Sequence, residues 1–219
     1  MTRITIAPSE RAAIVGRTGS GKTTLARQLV GTYRNLVVID PKWRFELART
    51  MVVAGSAADF ARLYPQRTTR LVYRPDPESS DHADVDAVIR RVLRYGRTCL
   101  CLDEAMDYAT PSAILPAYRR ALTQGRELLV PVVSLTQRPR AVHNTVLSEA
   151  EHLFVFDLQV ASDRDKMADL AGDALRERIL TPYAFAYYGP ATGGHVVMCP
   201  PLRLPAPPLA PGPPATGGD

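Results

Sequence analysis

The feature that most limits what this chain can fold into is the octapeptide Gly16-Arg17-Thr18-Gly19-Ser20-Gly21-Lys22-Thr23. It satisfies the pattern G-x-x-x-x-G-K-[ST] at every position. Its glycines let the backbone curl around an anion without Cβ clashes. Successive N–H groups and the start of a following helix then face the negative charge. The flanks agree, because Ala12–Val15 reads as a short apolar strand and Lys22–Val30 as a helix. A Gly-rich turn after a strand is the plain alternative. With 14 Gly and 3 Lys in 219 residues, a chance match is on the order of one in a thousand. The pattern assigns nucleotide contacts to Gly16, Arg17, Thr18, Gly19, Ser20, Gly21, Lys22, Thr23 and Thr24. Lys22 would reach the β- and γ-phosphates, and the Thr23 hydroxyl would ligate Mg²⁺.

A second segment fits the same chemistry. Cys99-Leu100-Cys101-Leu102-Asp103-Glu104 is an apolar strand ending in two acids. A parallel strand delivers Asp103 to the edge of the sheet where ligands bind in α/β folds. Asp103 would hold the Mg²⁺ side, and Glu104 would polarise the attacking water. Asp107 is a weaker rival for either role. An acid pair that merely caps the next helix is the competing reading, and alone it would prevail. A third strand ends Ser134-Leu135-Thr136-Gln137-Arg138-Pro139, and Gln137 there is a candidate γ-phosphate sensor. A fourth, Leu36–Ile39, ends Asp40-Pro41-Lys42.

The remaining pattern predicts an α/β fold of the P-loop NTPase (RecA/ASCE-like) type. It would have a mostly parallel central sheet flanked by helices and a C-terminal β-hairpin. Continuous apolar strands alternate with helical spacing such as Val85, Val88, Ile89, Val92 and Leu93. Trp43–Arg49 reads as a short helix, Ile114–Thr123 as another, and Leu128–Leu135 as a strand that begins just after Pro131. Tyr183–Tyr188 and His195–Met198 form the expected hairpin. Residues 1–199 would make the ATPase domain, and the Pro/Gly-rich segment 200–219 an extended or disordered tail.

Composition narrows the setting. No apolar run reaches the roughly 18–20 residues of a membrane span, and the N-terminus lacks a signal-peptide core. A cytoplasmic protein is expected. The three cysteines show no metal-ligand or disulfide spacing and read as small apolar residues. A net charge of +5 permits an anionic partner without proving one. It is built from 24 Arg against 3 Lys, and two of those lysines, Lys22 and Lys42, lie in strand-end motifs.

In order, the GRTGSGKT loop, the strand ending VVIDPKW, the strand ending CLDE, and a Gly-Arg ahead of the strand ending SLTQRP resemble the FtsK/HerA-type translocase ATPases. Among these, the small viral DNA-packaging ATPases are most similar. The resemblance covers roughly residues 10–190. It implies an ATP-driven motor that pumps double-stranded DNA through a homo-oligomeric ring of five or six subunits, docked on a portal or capsid and without membrane insertion. It also implies an arginine given in trans to a neighbouring ATP site. Arg126 in Gln124-Gly125-Arg126 matches that position, with Arg119, Arg120, Arg138 and Arg140 as further candidates. A solvated basic face is an equal reading for any one of them. Candidate DNA contacts are Lys42, Arg138 and Arg140, with Arg67 and Arg70 as further candidates. Lys42 is alternatively a trans residue. Two other functions remain open. One is a small-molecule kinase, which would need an acceptor site and a lid that the sequence does not display. The other is an ATP-switched assembly module.

Overall fold

The computed structural model describes residues 4–45, 51–76, 78 and 82–203. Nine strands are found among them. They are β1 (Arg11–Val15), β2 (Leu36–Ile39), β3 (Val52–Ala54), β4 (Arg70–Tyr73), β5 (Cys99–Leu102), β6 (Val132–Thr136), β7 (His152–Val155), β8 (Phe185–Tyr188) and β9 (Val197–Cys199). They form one sheet in the order β3-β4-β2-β5-β6-β1-β7-β8-β9. Strands β3 through β7 in that order run parallel. The last two are antiparallel and make the C-terminal hairpin.

Period-two alternation decides which side chains serve each face. Val37, Ile39, Leu100 and Leu102 join Val88, Ile89 and Val92 of α3 (Ala83–Tyr95) in one core. Their neighbours Leu36, Val38, Cys99 and Cys101 pack with Leu25, Ala26 and Val30 of α1 (Lys22–Val30) in the other. Such strands read as unbroken apolar runs because both faces are covered. Cys99 and Cys101 are buried free thiols in this core, and burial pushes both thiol pKa values up.

The helices α2 (Ala57–Leu63), α4 (Pro116–Gln124), α5 (Asn144–Ser148) and α6 (Ala161–Ala171) complete the covering layers. Several boundaries differ from the sequence reading. Helix α4 begins at Pro116, because Ile114 is held in a bridge with Ala109 and Pro116 takes the first helical turn. Strand β6 begins where the sequence places it, at Val132 just past Pro131, which lacks the ladder N–H. Helix α5 is absent from the sequence reading, since its N-cap is the His143 ring, which accepts the Thr145 N–H at 3.3 Å. Residues 43–45 are not helical, and the rest of the expected Trp43–Arg49 helix lies outside the described residues. So does most of the 200–219 segment. Its described start folds back, with the Leu202 N–H donating to the Tyr183 carbonyl at 3.1 Å. Among the described residues, no helix is long and apolar enough to cross a membrane.

Sheet topology gathers the polar strand ends. Strand β6 lies between β1 and β5. The parallel register aligns the ends of β1, β2, β5 and β6 along one edge, which places Gly16, Asp40, Asp103 and Gln137 near one another.

Candidate nucleotide site

The loop between β1 and α1 turns on glycines at φ 155 (Gly16), 76 (Gly19) and 108 (Gly21). A Cβ on Gly16 would stand 2.5 Å from the Phe156 Cβ and 2.8 Å from the Ser20 Oγ, whereas one on Gly19 would meet nothing within 4 Å. The loop is therefore pressed against the end of β7 at its root and open at its tip. Gly21 caps α1 without any side-chain acceptor, and no acid occupies the first turn. The first N–H groups of the helix thus face outward with their partial positive charge. Thr23 and Thr24 stand half-buried in this turn.

Two polar groups in the loop are poorly served by the protein alone. The Ser20 Oγ is buried with no hydrogen-bond partner. The Lys22 ammonium, also buried, donates to the loop's own carbonyls, Gly16 O at 2.7 Å and Arg17 O at 3.0 Å. Burial lowers the Lys22 pKa to about 8, although Glu104 and Asp103 pull it upward. An anion at the loop suits both groups.

The acids opposite form a buried set. Asp103 and Glu104 are each 5 % exposed, and Asp40 is fully buried. Burial, then the charges of Glu104 and Asp40, raise the Asp103 pKa to about 6 against the pull of Lys22. Asp103 also accepts the Glu104 N–H at 3.1 Å. A hydroxyl at the helix start together with one crowded carboxylate is the donor set Mg²⁺ takes when phosphates and water supply the rest. Among the described residues, no three His, Cys, Asp or Glu side chains converge into an all-protein cage. Thr23 and Asp103 fit the ion in this way.

Glu104 takes a left-handed backbone conformation, φ 54, at the start of a 3₁₀ turn over Ala105–Asp107. Its Oε1 accepts from Gln137 Nε2 and lies 2.7 Å from Lys42 Nζ. Gln137 Oε1 in turn accepts the Thr18 hydroxyl at 2.6 Å. A polar chain therefore runs from the phosphate loop through Gln137 to Glu104 and Lys42. Asp107 takes no part in these hydrogen bonds but feels the same charges: burial and then Glu104 raise its carboxyl pKa against the pull of Lys42.

The other candidates are scattered. Lys42 is exposed, and its ammonium pairs with Glu104 of its own chain. Arg138 pairs with the buried Asp163 at 2.6 Å, and the Arg140 N–H donates to the same carboxylate at 3.0 Å. That carboxylate fastens their segment to α6. Arg126 pairs with Glu151 at 3.5 Å, beside Arg11 at the opposite end of β1. Five strand residues separate it from the loop, roughly 17 Å. Arg119 and Arg120 are exposed on α4.

Sequence reasoning missed one group entirely. Asp157, just past β7, accepts Arg17 Nε at 3.0 Å and a bidentate Arg178 at 2.5 and 3.0 Å. Arg178 holds the Asp157 carboxyl below the usual carboxylate range. The available signal was Phe154-Val155-Phe156-Asp157, an apolar strand ending in an acid like the two already singled out.

A Gly-rich anion loop on a strand end, two acids on a second strand, and one strand lodged between them define a P-loop NTPase. The chain belongs to the AAA domain family, whose model matches residues 10–137. It is 24 % identical over 206 residues to the DNA packaging ATPase P9 of Enterobacteria phage PRD1, covering 87 % of each chain. Its fold is similar to the genome packaging NTPase B204 of Sulfolobus turreted icosahedral virus 2 in complex with sulfate. That match has TM-score 0.74 and 19 % identity over 90 % of this chain and 99 % of that one. The type VII secretion ATPase EccC of Thermomonospora curvata is also similar in fold. There the TM-score is 0.61 at 13 % identity, over 90 % of this chain and 24 % of that one.

Proposed function

We propose that this chain hydrolyses ATP and couples the reaction to double-stranded DNA translocation, as one subunit of a homo-oligomeric viral packaging ring. The observation that carries the reading is the Glu104 carboxylate. It is buried beside Lys22 and Asp103 and tied through Gln137 to the phosphate loop. A water-polarising acid with an amide partner suits hydrolysis better than phosphoryl transfer to a metabolite. The similarity to packaging ATPases of matching length supports DNA as the cargo.

In this reading the amides of residues 16–24 and Lys22 hold the triphosphate. Arg17, anchored by Asp157, flanks its open side. Thr23 and Asp103 would hold Mg²⁺, which would neutralise phosphate charge when bound. Glu104 orients and polarises the attacking water, while Gln137 senses whether the γ-phosphate is present. Arg126, far from its own loop, is the arginine presented to a neighbouring subunit. DNA is gripped by sequence-independent phosphate contact from pore-facing arginines, with Arg138 and Arg140 as candidates.

The test is the ATPase rate of the full chain with and without long double-stranded DNA of unrelated sequences, in the presence of the portal or capsid partner. Turnover rising with DNA of any sequence is expected. Turnover that instead requires a nucleoside or metabolite acceptor would replace the motor with a kinase.

A further inference from the structure

Lys42 is placed with unusual care for an exposed lysine. It follows Asp40, whose buried carboxylate accepts the Arg44 and Phe45 N–H groups at 3.0 Å each. That closes the turn after β2 into a fixed loop. Trp43 takes φ 57 there, and the Arg74 guanidinium lies over its ring, 5.6 Å from the centroid. The root of the Lys42 side chain is therefore held on both sides. From it the ammonium reaches Glu104 Oε1 at 2.7 Å. Gln137 Nε2 donates to that same oxygen. Among the described residues no hydrogen bond reaches Glu104 Oε2.

A carboxylate held by one neutral donor can pivot about that contact. A second, charged donor from a different strand end removes the freedom, and charge-assisted bonds are roughly twice as strong as neutral ones. We infer that Lys42 is the positioning residue of Glu104: with Gln137 it pins Oε1 and leaves Oε2 as the oxygen presented to water at the γ-phosphate. This rests on the reading of Glu104 as the hydrolysing carboxylate. It also accounts for a lysine where the chain otherwise favours arginine. A compact ammonium can share one oxygen with an amide, while a planar guanidinium takes two.

The test compares Lys42→Met, Lys42→Arg, Glu104→Gln and the double variant Lys42→Met/Glu104→Gln in the full chain. It reads kcat and KM for ATP and the dissociation constant of a fluorescent ATP analogue. For Lys42→Met, kcat should fall about tenfold or more, as expected for a misplaced reacting group. Its analogue binding should stay within about threefold of the parent, since the phosphate loop is untouched. Lys42→Arg should retain more turnover than Lys42→Met. The double variant should be no slower than Glu104→Gln alone, because the two residues act as one unit. The inference is overturned if Lys42→Met turns over at the parental rate, or if its whole effect is on binding. It is also overturned if only the stimulation by DNA is lost, which would make Lys42 a DNA contact. If Glu104→Gln is inactive while Lys42→Met is not, only the positioning role fails. If Glu104→Gln itself turns over normally, the hydrolysis reading fails and takes the positioning role with it. Emission of Trp43, the sole tryptophan, reports whether the turn is intact in each variant.

Discussion

Replacing Asp103 with asparagine should make the ligand-free protein more stable and abolish its turnover. The carboxyl is 5 % exposed. Burial first, then Glu104 and Asp40, raise its pKa from 3.8 to about 6. For an acid this sign means that the folded state binds the proton more tightly than the unfolded chain. Stability is therefore lost as pH rises from about 4 through about 6, and the full penalty persists above that window. At about 1.4 kcal/mol per unit, the penalty near neutrality is about 3 kcal/mol. Asparagine removes the charge but keeps an oxygen for the Glu104 N–H, now accepted at 3.1 Å. At 2–4 °C per kcal/mol for a chain of this size, the gain in melting temperature is roughly 6–12 °C. Calorimetry without nucleotide or magnesium at about pH 7.5 should show it. Near pH 4.5 the gain should shrink to about a third, because wild-type Asp103 is then largely protonated in the fold. A variant less stable than the parent at pH 7.5, or a gain that does not change with pH, would refute the reasoning.

Two further outcomes are expected. Gly16→Ala would drive a Cβ to 2.5 Å from Phe156 Cβ at φ 155. It should cost about 1–3 kcal/mol in chemical denaturation, as overpacking does, and weaken binding of an ATP analogue. Unchanged affinity would show that the loop root is slack. Arg126→Ala should silence assembled rings, and mixing it with Glu104→Gln subunits should restore some turnover, since each supplies what the other lacks. Absence of rescue would place Arg126 in a structural role with Glu151.

The fold was largely legible because both faces of the sheet are covered. Strands such as Leu36–Ile39 and Cys99–Leu102 are apolar at every position, and they alternate with clear helical spacing. The antiparallel hairpin announced itself through its turn residues. Legibility failed where tertiary contact overrides local pattern. Ile114 fits the helical period yet is drawn into a bridge with Ala109, and the short α5 is capped by a histidine that no cap rule favours. At the site, the loop and the acid strand could be read because spacing along the chain fixes them. The Lys42–Glu104 pair and the Asp157 clamp join segments about 60, 140 and 20 residues apart, and no local signal encodes such pairings. What the sequence did display is that four strands end in polar groups, which parallel register must gather at one edge.

The gathered groups are individually uncomfortable without a ligand. Lys22 is desolvated, with its pKa lowered to about 8, while the Asp103 pKa is raised to about 6, and Ser20 Oγ has no partner. The first two departures favour the uncharged forms, yet a triphosphate with its metal needs the charged ones. On the proposed function, an anion would restore the ammonium and a divalent cation the carboxylate, so binding would recover free energy that the fold forgoes. The same strain explains why the loop, the acids and Lys42 rest on strand ends rather than on long loops. Only a sheet with a core on both faces can hold like charges together against their preference to separate or protonate. Stability and function then trade against each other at Asp103, and the trade should be visible as a nucleotide-induced rise in melting temperature that is larger in the parent than in Asp103→Asn.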